Sequence, residues 1–172
     1  RLVLFPRFDE ALVLDTFRKT PATFLPAVPP IYERLVAAAE VRGVSLRGIR
    51  FAISGAMNLP TRIVELWEQA TGGLLVEGYG MTESSPIVVG NPMGPSRRPG
   101  TVGVPFPSTE IRVVDPDDPS VDRGVNEEGE LLVRGPQVFS GYWNRPTETA
   151  ETLLADGWLR TGDVAAMDDH AF

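Results

Sequence analysis

Arg50-Phe51-Ala52-Ile53-Ser54, a helical stretch that opens at Leu59-Pro60, and Leu74-Leu75-Val76 follow one another along the chain, and this run decides the fold. The two outer segments are short and almost wholly apolar, as suits strands buried on both faces. Between them Ile63, Leu66 and Trp67 share one helical face, and Gly72-Gly73 stops the helix. Strand, helix and second buried strand in this order predict a parallel sheet flanked by helices. Trp67 is expected in the core on the packed face of that helix.

Upstream the alternation continues. Asp9-Glu10 lead into an amphipathic stretch, Ala11 to Lys19, with Leu12, Leu14 and Phe17 apolar. Thr23-Phe24-Leu25 predicts a short strand. Pro29-Pro30 opens a helix through Ala39, because proline is tolerated in a first turn, and Gly43 can end it. Downstream the composition changes: Pro92, Gly94, Pro95, Pro99 and Gly100 mark a long loop. Beyond it, Glu110 to Val114 alternates and Glu130 to Arg134 reads as a strand. The acidic run from Asp115 to Glu128 joins them as a solvated loop. Pro146 to Ala155 predicts a short helix, and Trp143 and Trp158 are expected to pack inside the β-rich part. The expected fold class is α/β plus β. A partial αβα parallel-sheet layer occupies residues 1–95, and a small distorted antiparallel β-barrel occupies 96–172.

The bulk numbers exclude several functions. The chain has 172 residues, 42% of them hydrophobic, and a net charge of −7. Nucleic acid is not an expected partner, because phosphate backbones require a clustered cationic surface and no such cluster is visible, Arg97-Arg98 and Arg18-Lys19 being only pairs. Cysteine is absent, which removes disulfides, thiol nucleophiles and Cys-based metal sites and fits a cytoplasmic protein. His170 is the only histidine, so a Ser-His-Asp triad is not expected. Lys19 is the only lysine, so a mechanism that needs a catalytic lysine must use it or draw one from outside this chain. A start at Arg1 and an end at Phe172 predict a piece of a larger protein. No apolar run approaches the ~20 residues that span a bilayer.

Chemistry gathers in two places. Glu77-Gly78-Tyr79-Gly80-Met81-Thr82-Glu83 follows the second buried strand, which should end near Tyr79. Ligands of α/β sheets bind beyond the carboxyl ends of strands. Gly78 and Gly80 allow close approach of backbone, Tyr79 offers a ring face, Thr82 a hydroxyl for a phosphate oxygen, and Glu83 a hard oxygen for Mg²⁺. A turn capped by the Thr-Glu pair explains the same residues. Ser54-Gly55-Ala56 follows the neighbouring strand and should lie beside Tyr79-Gly80, leaving room for a flat base; an ordinary Gly-Ala turn also fits. Asp163 follows Thr161-Gly162, read as a tight turn, and its carboxylate suits two vicinal hydroxyls. It is equally explained as a turn residue.

The chain resembles the adenylate-forming, AMP-binding enzymes, and among them most closely the bacterial long-chain fatty acid–CoA ligases. The resemblance runs along essentially the whole chain. It is carried by Val28-Pro29, Glu77 to Glu83 with Ser84-Ser85-Pro86, Pro99-Gly100-Thr101-Val102-Gly103-Val104-Pro105 and Pro107-Ser108-Thr109-Glu110. Gly129-Glu130-Leu131, Arg134-Gly135-Pro136-Gln137-Val138, Gly141-Tyr142-Trp143 and Asp156 to Asp163 continue it. The resemblance implies ATP-dependent formation of an acyl-adenylate, then transfer of the acyl group to CoA, with Mg²⁺ as cofactor and a fatty acid, ATP and CoA as small-molecule substrates. It implies that Tyr79 packs on adenine, Thr82 touches the α-phosphate, Glu83 holds Mg²⁺ and Asp163 binds the ribose hydroxyls. Ser54, Gly55 and Ala56 would line the adenine side, and Glu77, Gly78, Gly80 and Met81 would pass close to the nucleotide. Thr82 and Glu83 would thus be the catalytic pair.

Three departures limit what is carried over. The family's phosphate loop lies upstream and is not in this chain. Its hinge, second ribose-contacting arginine and lysine-bearing C-terminal domain lie downstream. Asn58 stands where many relatives have proline. The missing N-terminal segment and C-terminal domain are therefore expected partners of this piece, which alone should be inactive, and the resemblance is compatible with peripheral membrane contact. Acyl-AMP ligases, aryl-CoA ligases and peptide-synthetase adenylation domains share these blocks, although Gln137-Val138, Pro107 to Glu110 and Ser84-Ser85-Pro86 favour the long-chain ligases. A non-catalytic interaction module with the same fold is the alternative of another class; intact Thr82, Glu83 and Asp163 speak against it.

Overall fold

The parallel sheet forms where the apolar runs place it. In a computed structural model that describes residues 1–172, β1 (Phe24–Ala27), β2 (Phe51–Ser54) and β3 (Leu74–Gly80) pair parallel in the order β1-β2-β3. Ala52 faces Leu25 on one side and Leu75 on the other. Helices α1 (Glu10–Lys19), α2 (Pro29–Arg42) and α3 (Thr61–Thr71) alternate with these strands. Asp9 caps α1 by accepting the Leu12 N–H at 2.9 Å, as N-cap aspartates do. Gly43 and Gly72 end α2 and α3 in the left-handed conformation.

The chain divides into two compact units, residues 1–77 with 92–100, and residues 78–91 with 101–172. The division is interleaved, so no single cut near residue 95 separates them. The core of the first unit holds Leu14, Tyr32, Leu35, Ala52, Trp67 and Leu75, each almost fully buried. Trp67 is in the core as its helical spacing requires, with its ring edge-on to Tyr32 at 4.8 Å. The Tyr32 hydroxyl donates to the carbonyls of Leu25 and Ile53, tying β1 and β2 to α2.

The second unit departs from expectation. Gly78–Gly80 of β3 pairs antiparallel with β4 (Ile87–Gly90), and β4 with β5 (Val104–Pro105). A separate antiparallel sheet joins β6 (Glu110–Val114), β7 (Gly129–Arg134) and β8 (Leu159–Ala165) in that order. The expected barrel is not closed, since β6 and β8 do not pair. Three strands are too few to curl round on themselves. Two small cores fill this unit, one around Val88, Leu131, Val133 and Leu159, the other around Val114, Leu132 and Trp158. Trp158 is packed as expected, under the guanidinium of Arg134 at 4.6 Å. Trp143 is not: it is 89% exposed. Helix α4 is shorter than expected, Pro146–Thr152. No helix is long and apolar enough to cross a membrane.

Candidate functional site

The corner after β3 is built by its backbone. The strand ends at Gly80, with an irregular register between Tyr79 and Gly80 where it leaves β4. A side chain at Gly80 would collide with the Pro86 carbonyl and Ile87, so this close crossing requires glycine. Thr82–Ser84 then form a single 3-10 turn. The buried Ser84 side chain locks it, accepting the Met81 N–H at 3.1 Å and donating towards the Met81 and Pro86 carbonyls. The turn leaves Thr82 exposed and Glu83 half-buried.

Asp163 reaches its place by a different device from the one its sequence suggests. Thr161-Gly162-Asp163 is not a free tight turn; it lies inside β8. Arg160 faces Leu132 and Val164 faces Glu130, so Thr161, Gly162 and Asp163 stand opposite Leu131 alone. Such a bulge re-aims a side chain. Gly162 takes φ +73 there. Glu130, only 6% exposed, anchors the bulge: it accepts from Arg160 Nη2 at 2.5 Å, from Arg160 Nε at 3.0 Å, and from the Gly162 N–H at 3.2 Å. The Thr161 hydroxyl donates to the Leu131 carbonyl and accepts the Asp163 N–H.

These two devices bring the two motif halves together. The Tyr79 hydroxyl donates to Asp163 Oδ2 at 2.5 Å across 84 residues of sequence. Burial, and then the hydrogen bond to Asp163, push the Tyr79 phenol far up from its ordinary value, so it stays protonated as a donor. Tyr79 and Met81 also pack on the Val88–Leu131 core. Glu83 is held from another segment. Its carbonyl accepts the Phe139 N–H at 2.8 Å and its Oε1 accepts the Tyr142 hydroxyl at 2.7 Å. Gly78, Tyr79, Gly80, Met81, Thr82, Glu83 and Asp163 thus belong to one unit.

Ser54, Gly55, Ala56 and Glu77 belong to the first unit. Ser54 is in register with Glu77 on the adjacent strand. Its hydroxyl is fully buried with no hydrogen-bond partner. Glu77 is buried and accepts the Leu59 N–H at 3.1 Å. Burial raises its carboxyl above the ordinary range, with the Leu59 N–H opposing. Ala56 takes φ 64, an unusual conformation for a residue with a side chain.

Sequence reasoning missed Tyr142 and Glu130. Nothing in spacing links Tyr142 to Glu83, 59 residues away. Glu130 carried a signal, a carboxylate inside the otherwise apolar strand Leu131-Leu132-Val133.

Residues 1–143 match the AMP-binding enzyme family. The long-chain-fatty-acid–CoA ligase of Bacillus subtilis (strain 168) is 39% identical over 99% of this chain, and the mitochondrial malonate–CoA ligase ACSF3 of Mus musculus is 36% identical over 99%. The chain spans only 30% and 34% of the lengths of these relatives. The crystal structure of ATP-bound MatB from Rhodopseudomonas palustris superposes with a TM-score of 0.84 at 34% identity, covering 98% of this chain and 33% of that one. With residues 1–143 matched by the family and relatives similar along nearly the whole chain, the chain belongs to the AMP-binding enzyme family.

Proposed function

We propose that this chain is the adenosine-binding portion of an ATP-dependent fatty acid–CoA ligase. In the first step a fatty acid carboxylate oxygen attacks the α-phosphorus of ATP. The bond to pyrophosphate breaks and an acyl-adenylate forms. In the second step the CoA thiol sulfur attacks the acyl carbon, AMP leaves with the bonding electrons, and the thiol proton passes to solvent. The first step brings anions together, so placed donors and positive charge carry most of the catalysis.

The residues divide the work by their chemistry. The Tyr79 ring supports adenine, with Gly78, Gly80 and Met81 near the nucleotide. Asp163 accepts the ribose hydroxyls; a carboxylate has about four acceptor positions, so Tyr79 does not exhaust it. Thr82, exposed on its turn, donates to an α-phosphate oxygen. The donor set at Glu83 fits Mg²⁺, a hard cation that takes one or two carboxylates and fills its other positions with phosphate oxygens and water. Tyr142 occupies only Oε1, which leaves Oε2 to take the ion. When bound there, Mg²⁺ would neutralise charge on the phosphates.

The Tyr79–Asp163 hydrogen bond is the observation that supports this reading best, because it joins the two sequence blocks in one place. The deciding experiment is ATP–pyrophosphate exchange by the full-length protein that contains this chain, across fatty acids of graded length. Exchange that rises with long-chain acids supports the ligase; exchange only with aryl acids, or none with any acid, defeats it. Glu83→Gln keeps the shape and removes the charge. It is expected to lower exchange at limiting Mg²⁺ with folding unchanged.

A further inference from the structure

Tyr142 touches no substrate in the proposed function, yet its hydroxyl is hydrogen-bonded to the Glu83 side chain. We infer that Tyr142 is a positioning residue, whose hydroxyl fixes one Glu83 oxygen so that the other meets a divalent cation in a set direction. This deepens the reading of Glu83 as the Mg²⁺ ligand and rests on it.

Tyr142 is a surface residue held on three sides. Its backbone N–H donates to Thr149 Oγ1 at 2.9 Å, and that hydroxyl in turn donates to the Arg145 carbonyl at 2.7 Å, on the first turn of α4. Its ring meets Phe139 edge-on at 4.8 Å. Its hydroxyl reaches Glu83 Oε1 at 2.7 Å. Phe139, on the same short segment, also donates its N–H to the Glu83 carbonyl. The segment therefore grips the 3-10 turn twice, once by backbone and once by the phenol. An exposed phenol has water to bond with at no cost in order. Spending three contacts to aim it at a carboxylate is what an outer donor to a metal ligand requires. A free glutamate side chain would rotate between one- and two-oxygen contacts with the ion; a fixed donor on Oε1 removes the second mode.

The test is made on the full-length protein with Mn²⁺ as the probe, titrated by electron paramagnetic resonance in the presence of a non-hydrolysable ATP analogue. Melting temperatures are recorded without metal. Tyr142→Phe keeps the ring and its contact with Phe139 and deletes one oxygen. It is expected to weaken Mn²⁺ binding about 10-fold or more, the usual loss when an outer-shell partner is removed, with the metal-free melting temperature unchanged. Phe139→Leu disturbs the same segment and leaves the hydroxyl; it is expected to weaken binding far less. Unchanged Mn²⁺ affinity in Tyr142→Phe, with Glu83→Gln weakened, overturns the role of Tyr142 alone. Equal weakening by Tyr142→Phe and Phe139→Leu also overturns it, since packing then explains both. Unchanged affinity in Glu83→Gln defeats the underlying reading and the positioning role with it.

Discussion

At Asp163 one carboxylate has an internal partner, Tyr79, and in the proposed function external ones, the ribose hydroxyls. Asp163→Ala in the full-length protein is expected to weaken ATP and AMP binding together. Each hydrogen bond to a charged acceptor contributes roughly 1.5–3 kcal/mol. The penalty should shrink with 2′-deoxy-ATP, which lacks one of the hydroxyls. A mutant cycle read as adenylate formation checks this, and full additivity would show that Asp163 does not touch that hydroxyl. Glu77 makes a different prediction, one of pH. Burial raises its folded pKa above the unfolded value, so the protonated form favours the folded state. Its contribution to stability is full below the unfolded carboxylate pKa and is lost as pH rises through the folded pKa. Glu77→Gln keeps an acceptor for the Leu59 N–H and cannot ionise. Relative to the parent it should therefore melt progressively higher as pH rises from acid to neutral. A gap that stays constant over that range would mean the Glu77 carboxyl is not desolvated by folding. These residues also show how much of the site was legible. Thr82, Glu83 and Asp163 stood out by type and by resemblance. The phenol on Glu83 did not, because side chains 59 residues apart meet only after folding.

At the scale of elements, the bulge in β8 is the part that spacing hid. β1, β2, β3 and the three longer helices were readable because buried parallel strands are continuous apolar runs and helices carry a 3.6-residue period. β8 breaks its alternation where Thr161, Gly162 and Asp163 oppose one residue. β4 and β5 are four and two residues long, too short for a period to emerge. The barrel expectation failed for the related reason that neither strand number nor closure is written in alternation. The bulge is held by Glu130 more than by glycine. Gly162 has φ +73 and open space where a methyl group would sit, so Gly162→Ala carries only the left-handed penalty, about 1–2 kcal/mol. Glu130→Ala removes the buried carboxylate that holds both Arg160 and the Gly162 N–H and should cost more than Gly162→Ala, since each hydrogen bond to a charged group contributes roughly 1.5–3 kcal/mol. Urea denaturation of both variants measures the order. Equal costs would place the anchor elsewhere.

At the scale of the molecule, the chain holds both halves of the proposed adenosine corner and a single lysine, Lys19, on α1. Placement and charge supply most of an adenylation barrier reduction, and the phosphate loop and lysine-bearing domain expected from the family are not among these 172 residues. The isolated chain is therefore expected to show no ATP–pyrophosphate exchange with a long-chain fatty acid. Robust exchange would mean that the residues present suffice. The Tyr79–Asp163 bond has one more implication, which concerns time. Tyr79 is synthesised 84 residues before Asp163. At about 5–20 residues per second, the tyrosine waits roughly 4–17 seconds for its partner. During that interval β3 can already pair with β2, but Asp163 does not yet exist. In the proposed function, ATP can thus stabilise this corner only after Asp163 has been made, so the early sheet must fold without help from that ligand.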